Sequence, residues 1–212
     1  MPVKVCGLTR PRDVHFCLEL QVDFLGFIFH VPSPRYVSPD QVRNISRGGA
    51  QRVGVFVDHS PAQILEIMDY SRLDLVQLHG DYSPQQCRLI GTSRVIKTLW
   101  PEKYQTAADF MHEAQTFASV CSYYLLDSGR KGGGHGRTFC SSWSIQSLPR
   151  PWFLAGGLAA HTLPGALDKF QPWAIDLNSG LENAPGQKDR FKLQKCLHIW
   201  QQYQKKQGAL HA

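Results

Sequence analysis

Eight short apolar segments, each followed by a helix-compatible stretch, constrain this chain more than any other feature of its sequence. The segments are 3–8, 24–29, 52–57, 75–79, 94–99, 123–127, 152–155 and 174–177. The helix-compatible stretches are 12–21, 39–46, 61–70, 84–90, 104–118, 141–147, 161–170 and 189–204. Strict strand–helix alternation implies a parallel sheet, because each helix carries the chain back to start a strand in the same direction. Eight such units in 212 residues imply an α/β fold of the (βα)8 TIM-barrel type with a parallel eight-stranded core. A doubly wound open sheet uses the same alternation and stays open at this point. Pro39, Pro61 and Pro84 each follow a serine, the pattern of an N-cap with proline in the first helical position. No domain linker is visible, so 1–212 reads as one barrel domain, with 205–212 a flexible tail.

Composition excludes several classes. With 42% hydrophobic and 19% charged residues, the chain is globular and has ample material for a core. The six cysteines (Cys6, Cys17, Cys87, Cys121, Cys140 and Cys196) are scattered without a C-x-x-C pair. That argues against a disulfide framework and a zinc site, and suits a reducing cytoplasm. The N-terminus lacks a signal-peptide apolar core, and 24–29, the densest early apolar run, is far too short to span a bilayer. The net charge of +6 raises nucleic acid as a partner, but the lysines and arginines are dispersed and draw no polyanion footprint. A small anionic substrate accounts for the charge equally well.

Period-two reading sorts the strand side chains by face. Lys4 and Cys6 share one face of the first strand, Gln77 and His79 one face of the fourth, Leu125 and Asp127 of the sixth, and Asp176 and Asn178 of the eighth. If these faces point inward, their polar groups collect at the barrel rim, where such folds place their chemistry. A thiol at the mouth of the first strand is then either a reactive group or a small buried hydrophobe. The glycine-rich segment 128–138 is either a flexible linker or a loop that closes over a ligand, and its place directly after an Asp-ending strand favours the loop. Two further loops, Leu154-Ala155-Gly156-Gly157-Leu158 and Asp176-Leu177-Asn178-Ser179-Gly180, end the seventh and eighth strands. Barrels commonly build a phosphate site from backbone N–H groups there, which points to Gly156, Gly157, Ser179 and Gly180. Either loop alone is explained by turn geometry; both together favour phosphate.

The ordered set of motifs resembles a known family. Lys4-Val5-Cys6-Gly7-Leu8-Thr9, Leu25-Gly26-Phe27-Ile28-Phe29, Ser33-Pro34-Arg35-Tyr36-Val37, Val76-Gln77-Leu78-His79-Gly80, Leu126-Asp127-Ser128 and Asp176-Leu177-Asn178-Ser179-Gly180-Leu181-Glu182 are similar in order and spacing to phosphoribosylanthranilate isomerase. The resemblance implies a (βα)8 barrel of tryptophan biosynthesis. The implied reaction is the Amadori rearrangement of N-(5′-phosphoribosyl)anthranilate to 1-(2-carboxyphenylamino)-1-deoxyribulose 5-phosphate, without metal or organic cofactor. It further implies Asp127 as general acid, Cys6 as general base and Arg35 as the clamp on the anthranilate carboxylate. His79 and Asp176 match substrate-lining positions.

These roles carry physical demands. Asp127 must hold a proton before it can donate one, which burial favours. Cys6 must ionise, which needs a nearby positive charge or donor. Lys4, on the same face, can meet that need or be a lysine merely paired inside the barrel. The segment Gly132-Gly133-Gly134-His135-Gly136, then Phe139-Cys140-Ser141-Ser142-Trp143, departs from the family's usual Gly-Gly-Thr-Gly and Phe-Asp-Trp. Another phosphate-handling barrel, such as an indole-glycerol-phosphate synthase or a broad-specificity sugar-phosphate isomerase, would explain the glycine loops but not Cys6, Asp127 and Arg35 together. A non-catalytic phosphometabolite-binding barrel would need neither Cys6 nor Asp127. The expected partner is a phosphorylated small molecule, with no nucleic acid or membrane; other tryptophan-pathway enzymes stay open as partners.

Overall fold

The computed structural model describes residues 2–127 and 148–210. Eight parallel strands close into a barrel in sequence order: β1 (Val3–Val5), β2 (Phe24–Ile28), β3 (Gln51–Phe56), β4 (Leu75–Leu78), β5 (Val95–Leu99), β6 (Tyr123–Leu126), β7 (Trp152–Leu154) and β8 (Ala174–Leu177). The barrel closes between β8 and β1, where Lys4 pairs in register with Asp176. Seven helices are described: α1 (Pro11–Glu19), α2 (Pro39–Arg43), α3 (Pro61–Ser71), α4 (Pro84–Ile90), α5 (Ala107–Phe117), α6 (Leu163–Phe170) and α7 (Arg190–Leu210). The open-sheet alternative falls with closure. The 128–138 loop, the 141–147 helix and the 139–143 departure lie outside the described residues.

Local chemistry starts three of the helices. Ser38, Ser60 and Ser83 each accept a bond from the backbone N–H of the residue three positions on, and Gln41, Gln63 and Gln86 reach back to the serine N–H. Each capping box satisfies two donors that a helix start leaves orphaned, while proline at the next position has no N–H to lose. The reciprocal glutamine was an unread part of the signal. The last helix runs past its expected end to Leu210, because 201–207 is built of good helix formers and Tyr203 is buried. That corrects the reading of 205–210 as tail.

Strand alternation gives two cores. Phe24, Val53, Leu75, Ile96, Leu125, Phe153 and Ala174, one from each of β2 to β8, pack together inside the barrel. Edge-on contacts of Phe153 with Phe24 and Tyr123, and Trp173 stacked on Tyr123, seal the end where the strands begin. Val3, Val5, Leu25, Phe27 and Val76, on the other face, bury against the helices. A two-stranded hairpin, β9 (Glu182–Ala184) with β10 (Gln187–Lys188), follows β8 and was not foreseen. Its turn residue Gly186 has φ +75°, and the preceding Pro185 completes a Pro-Gly turn signal.

At the end remote from the strand tips, Arg52 is buried and its guanidinium donates to the carbonyls of Val42, Ser71 and Ile45, tying the ends of α2 and α3 to β3. Arg52→Ala is expected to lose about 3 kcal/mol, because three buried carbonyls lose a charged partner. Urea unfolding should show the lower midpoint, with turnover by the folded fraction unchanged.

Candidate active site

Three of the expected side chains stand one residue beyond a strand, and each is still pinned by its backbone. Cys6 N–H donates to Leu177 O at 2.8 Å, His79 N–H to Phe56 O at 2.8 Å and Asp127 N–H to Leu99 O at 3.2 Å. The sheet's hydrogen bonds therefore run one residue past β1, β4 and β6 and fix where these groups emerge. All three line a cavity of about 370 Å³ at the C-terminal end of the barrel, together with Arg35, Asp176, Gly156, Gly157 and Ser179. Ile28, Val55 and Leu125 supply an apolar floor. Of the expected residues, only Gly180 is absent from the lining.

Gly180 serves packing. A Cβ there would lie 2.0 Å from the carbonyl oxygen of Leu158, so its bare α-carbon lets the loop after β8 lie directly on the loop after β7. Gly80 does the same for the loop after β3, its missing Cβ falling 2.0 Å from Val57 O. The sequence reading of Gly180 as a phosphate-loop residue did not include this packing contact. Gly156 and Gly157 do need their freedom, with φ of +93° and +61°. Ser179 begins a 3₁₀ turn, Ser179–Leu181, so its N–H has no partner within that turn.

Inside the mouth, Lys4 is fully buried and donates to both carboxylate oxygens of Asp176, at 2.9 and 3.0 Å. Burial pushes the Cys6 thiol up, while the Lys4 ammonium draws it back and the Asp176 carboxylate opposes that pull. His79 is held well below its ordinary range, at about 4, first by burial and then by the charges of Lys4, Lys97 and His30. It is neutral at physiological pH. The Gln77 amide nitrogen lies 3.3 Å from His79 Nδ1 and can only donate, which puts the ring proton on Nε2. That nitrogen faces Asp127 Oδ2 at 3.8 Å, and Trp100 meets the ring edge-on.

Arg35 comes from the loop after β2 and is already paired. Its Nε lies 2.9 Å and its Nη2 2.6 Å from the carboxylate oxygens of Glu182 on β9. Lys188 on β10 donates to the same carboxylate at 2.7 Å and to Asn178 Oδ1 at 2.8 Å. Together these cations hold Glu182 below the usual carboxylate range, although burial alone would raise it. Gly7, with φ +69°, makes room for this layer, since a Cβ there would lie 2.7 Å from both Arg35 Cδ and Asn178 Oδ1. Glu182 and Lys188 were given no role from sequence, and the pairing of Glu182 with Arg35 had no local signal because the two lie 147 residues apart. Gln77 was placed on the face of His79 but not as its hydrogen-bond partner. Among the described residues, no three His, Cys, Asp or Glu side chains converge as a metal site requires.

The sequence profile described as N-(5'phosphoribosyl)anthranilate (PRA) isomerase matches residues 3–198. The chain belongs to this family. A relative from Maridesulfovibrio salexigens, N-(5'-phosphoribosyl)anthranilate isomerase, is 46% identical over 90% of this chain and 94% of its own. The fold superposes on phosphoribosyl anthranilate isomerase from Thermus thermophilus with a TM-score of 0.81, at 32% identity over 95% of this chain and 99% of that one. A third isomerase of the family, solved in complex with reduced 1-(o-carboxyphenylamino)-1-deoxyribulose 5-phosphate, gives a TM-score of 0.76 at 32% identity, covering 93% of this chain and 96% of that one.

Because the folded pKa of His79 lies below its unfolded value of 6.5, the unfolded chain takes up this proton first as pH falls. Stability should therefore drop between about pH 6.5 and 4, and His79→Gln should flatten that part of the curve. Its ring proton NMR signals should stay at the neutral position down to about pH 5. Titration near 6.5 would overturn the assignment of a neutral ring.

Proposed function

We propose that this pocket converts N-(5′-phosphoribosyl)anthranilate into 1-(2-carboxyphenylamino)-1-deoxyribulose 5-phosphate, with Asp127 as general acid and Cys6 as general base. The observation that carries the reading is a carboxyl and a thiol, three strands apart around the closed sheet, facing one cavity with a guanidinium at its rim. Asp127 gives its proton to the furanose ring oxygen as the C1′–O bond breaks, and the anilino nitrogen lone pair forms the iminium. The neutral His79 N–H facing Asp127 steadies the carboxylate left behind. The thiolate of Cys6 then takes the C2′ proton, and the C–H electron pair neutralises the iminium to give the enolamine. A proton passes from the C2′ hydroxyl to C1′, yielding the ketose, and water in the pocket returns the proton of Cys6 to Asp127.

Binding divides the same way. Arg35, oriented by Glu182, presents Nη1 to the anthranilate carboxylate, with Pro32, Pro34 and Ile28 against the ring. Asp176 accepts from a sugar hydroxyl. The phosphate lies on the backbone N–H groups of Gly156, Gly157 and Ser179. Gly180 supports that site by keeping the two loops in contact. We place the protein in the cytoplasm: its five described cysteines are free, and its substrate is a phosphorylated metabolite. Among the described residues no helix is long and apolar enough to cross a membrane. Association with another enzyme of tryptophan synthesis suits a labile substrate of this kind.

The test is the decay of anthranilate-type fluorescence when purified protein meets freshly generated phosphoribosylanthranilate. The native chain should consume it rapidly. Asp127→Asn and Cys6→Ser should each lose roughly a hundredfold or more in kcat while remaining folded. Full activity in either variant removes that residue from its role. Arg35→Ala should act mainly on KM, raising it by roughly tenfold or more for loss of a charge-assisted pair; an unchanged KM would reassign the carboxylate clamp.

A further inference from the structure

Resting on the assignment of Cys6 as the base, we propose that Lys4 is the positioning residue that holds the Cys6 thiolate ready, through the one ammonium N–H that Asp176 leaves unused. Lys4 precedes Cys6 by two residues, so both point from the same face of β1 into the barrel. The neighbouring strand leaves space for them at Gly26, where a Cβ would lie 2.9 Å from Cys6 Sγ and 3.1 Å from Lys4 Nζ. Thiol and ammonium thus converge on one point beside a residue with no side chain. Two of the three ammonium hydrogens go to the two oxygens of Asp176. The third remains for sulfur.

Of the other charges around Cys6, Lys188 also draws the thiol down through its charge, less than Lys4 does and with its donors already engaged. From β10, Lys188 has three acceptors within reach, Glu182 Oε1 at 2.7 Å, Asn178 Oδ1 at 2.8 Å and Asn178 O at 3.2 Å, which use its three donors. Arg35 is turned to Glu182. From β8, the Asp176 carboxyl is pushed up by burial and drawn back by Lys4; its negative charge disfavours a thiolate, so its pairing with Lys4 both shields that charge and fixes the ammonium. From β2, Gly26 brings no charge. Lys4 is itself kept protonated by Asp176 and Cys6, against the cost of burial. It does not line the cavity and so has no route to the substrate except through Cys6 and Asp176.

The readout is the pH dependence of Cys6 alkylation by iodoacetamide, followed on its own peptide by mass spectrometry. Removing the cation raises the thiol pKa, so Lys4→Met should move the midpoint up by about one pH unit or more, a tenfold smaller thiolate fraction at neutral pH. kcat should fall by a similar factor with KM within about twofold. Lys4→Arg, which keeps the charge, should move the midpoint back toward the native value. A folded Lys4→Met chain with an unchanged midpoint overturns the proposal. A second measurement needs no change at Lys4. In the native chain the Lys4 ¹⁵Nζ resonance should shift over the interval in which Cys6 becomes reactive, and Cys6→Ser should abolish that shift; a resonance indifferent to Cys6 overturns the proposal. Retained turnover in Cys6→Ser would instead overturn the assignment of the base, leaving the measured coupling between thiol and ammonium as it stands.

Discussion

The barrel is closed by the meeting of its first and last strands, and inside that seam the Lys4–Asp176 ion pair joins them. Lys4 is fully buried, Asp176 is buried at the cavity wall, and the two occupy paired positions of the β1–β8 register. A buried ion pair of this kind is poor evidence of stability, since desolvating two charges offsets most of their attraction. Two apolar residues of similar volume would close the seam as well. Its value lies in location. It sets a fixed cation beneath the thiol and a fixed carboxylate at the cavity wall.

Above the seam, a second charged layer is assembled from segments distant in sequence. Arg35 arrives after β2, Glu182 and Lys188 on the hairpin after β8, and Asn178 at the tip of β8 itself. Each cation is held by acceptors before any substrate arrives, so little side-chain freedom remains to be lost on binding. The hairpin is anchored to the opposite side of β1 as well: Asp13 of α1 accepts from Lys188 N–H at 3.0 Å, and Thr9 donates to Gly186 O at 2.6 Å. Chemistry and stability are thus separated along the barrel axis, with Arg52 and the aromatic plug at one end and every titrating group of the pocket at the other.

What the sequence made legible was what is local or periodic. Eight strand positions could be read because each strand is a short apolar run bounded by turn residues, and the serine-proline pairs announced three helix starts. Face-sharing pairs such as Lys4 with Cys6 and Gln77 with His79 followed from a period of two. Pairings across the fold were not legible. Arg35 carries no sign of Glu182, and whether Lys4 is a silent core charge or a partner of the thiol depends on the missing side chain at Gly26. Glycine was the residue hardest to resolve from sequence: Gly156 and Gly180 sit in similar loops, yet one needs its dihedral freedom and the other its lack of bulk.

That lack of bulk ties segments together in a way inheritance must respect. Where Gly180 rests on the Leu158 carbonyl and Gly80 on that of Val57, backbone touches backbone with no side chain to cushion a change. Neither loop of such a pair can be lengthened, shortened or re-angled by itself; a lineage that remodels one must remodel both in step. Change in a barrel of this kind therefore enters less readily through the paired loops after β7 and β8 than through a loop whose neighbours are side chains that can shift.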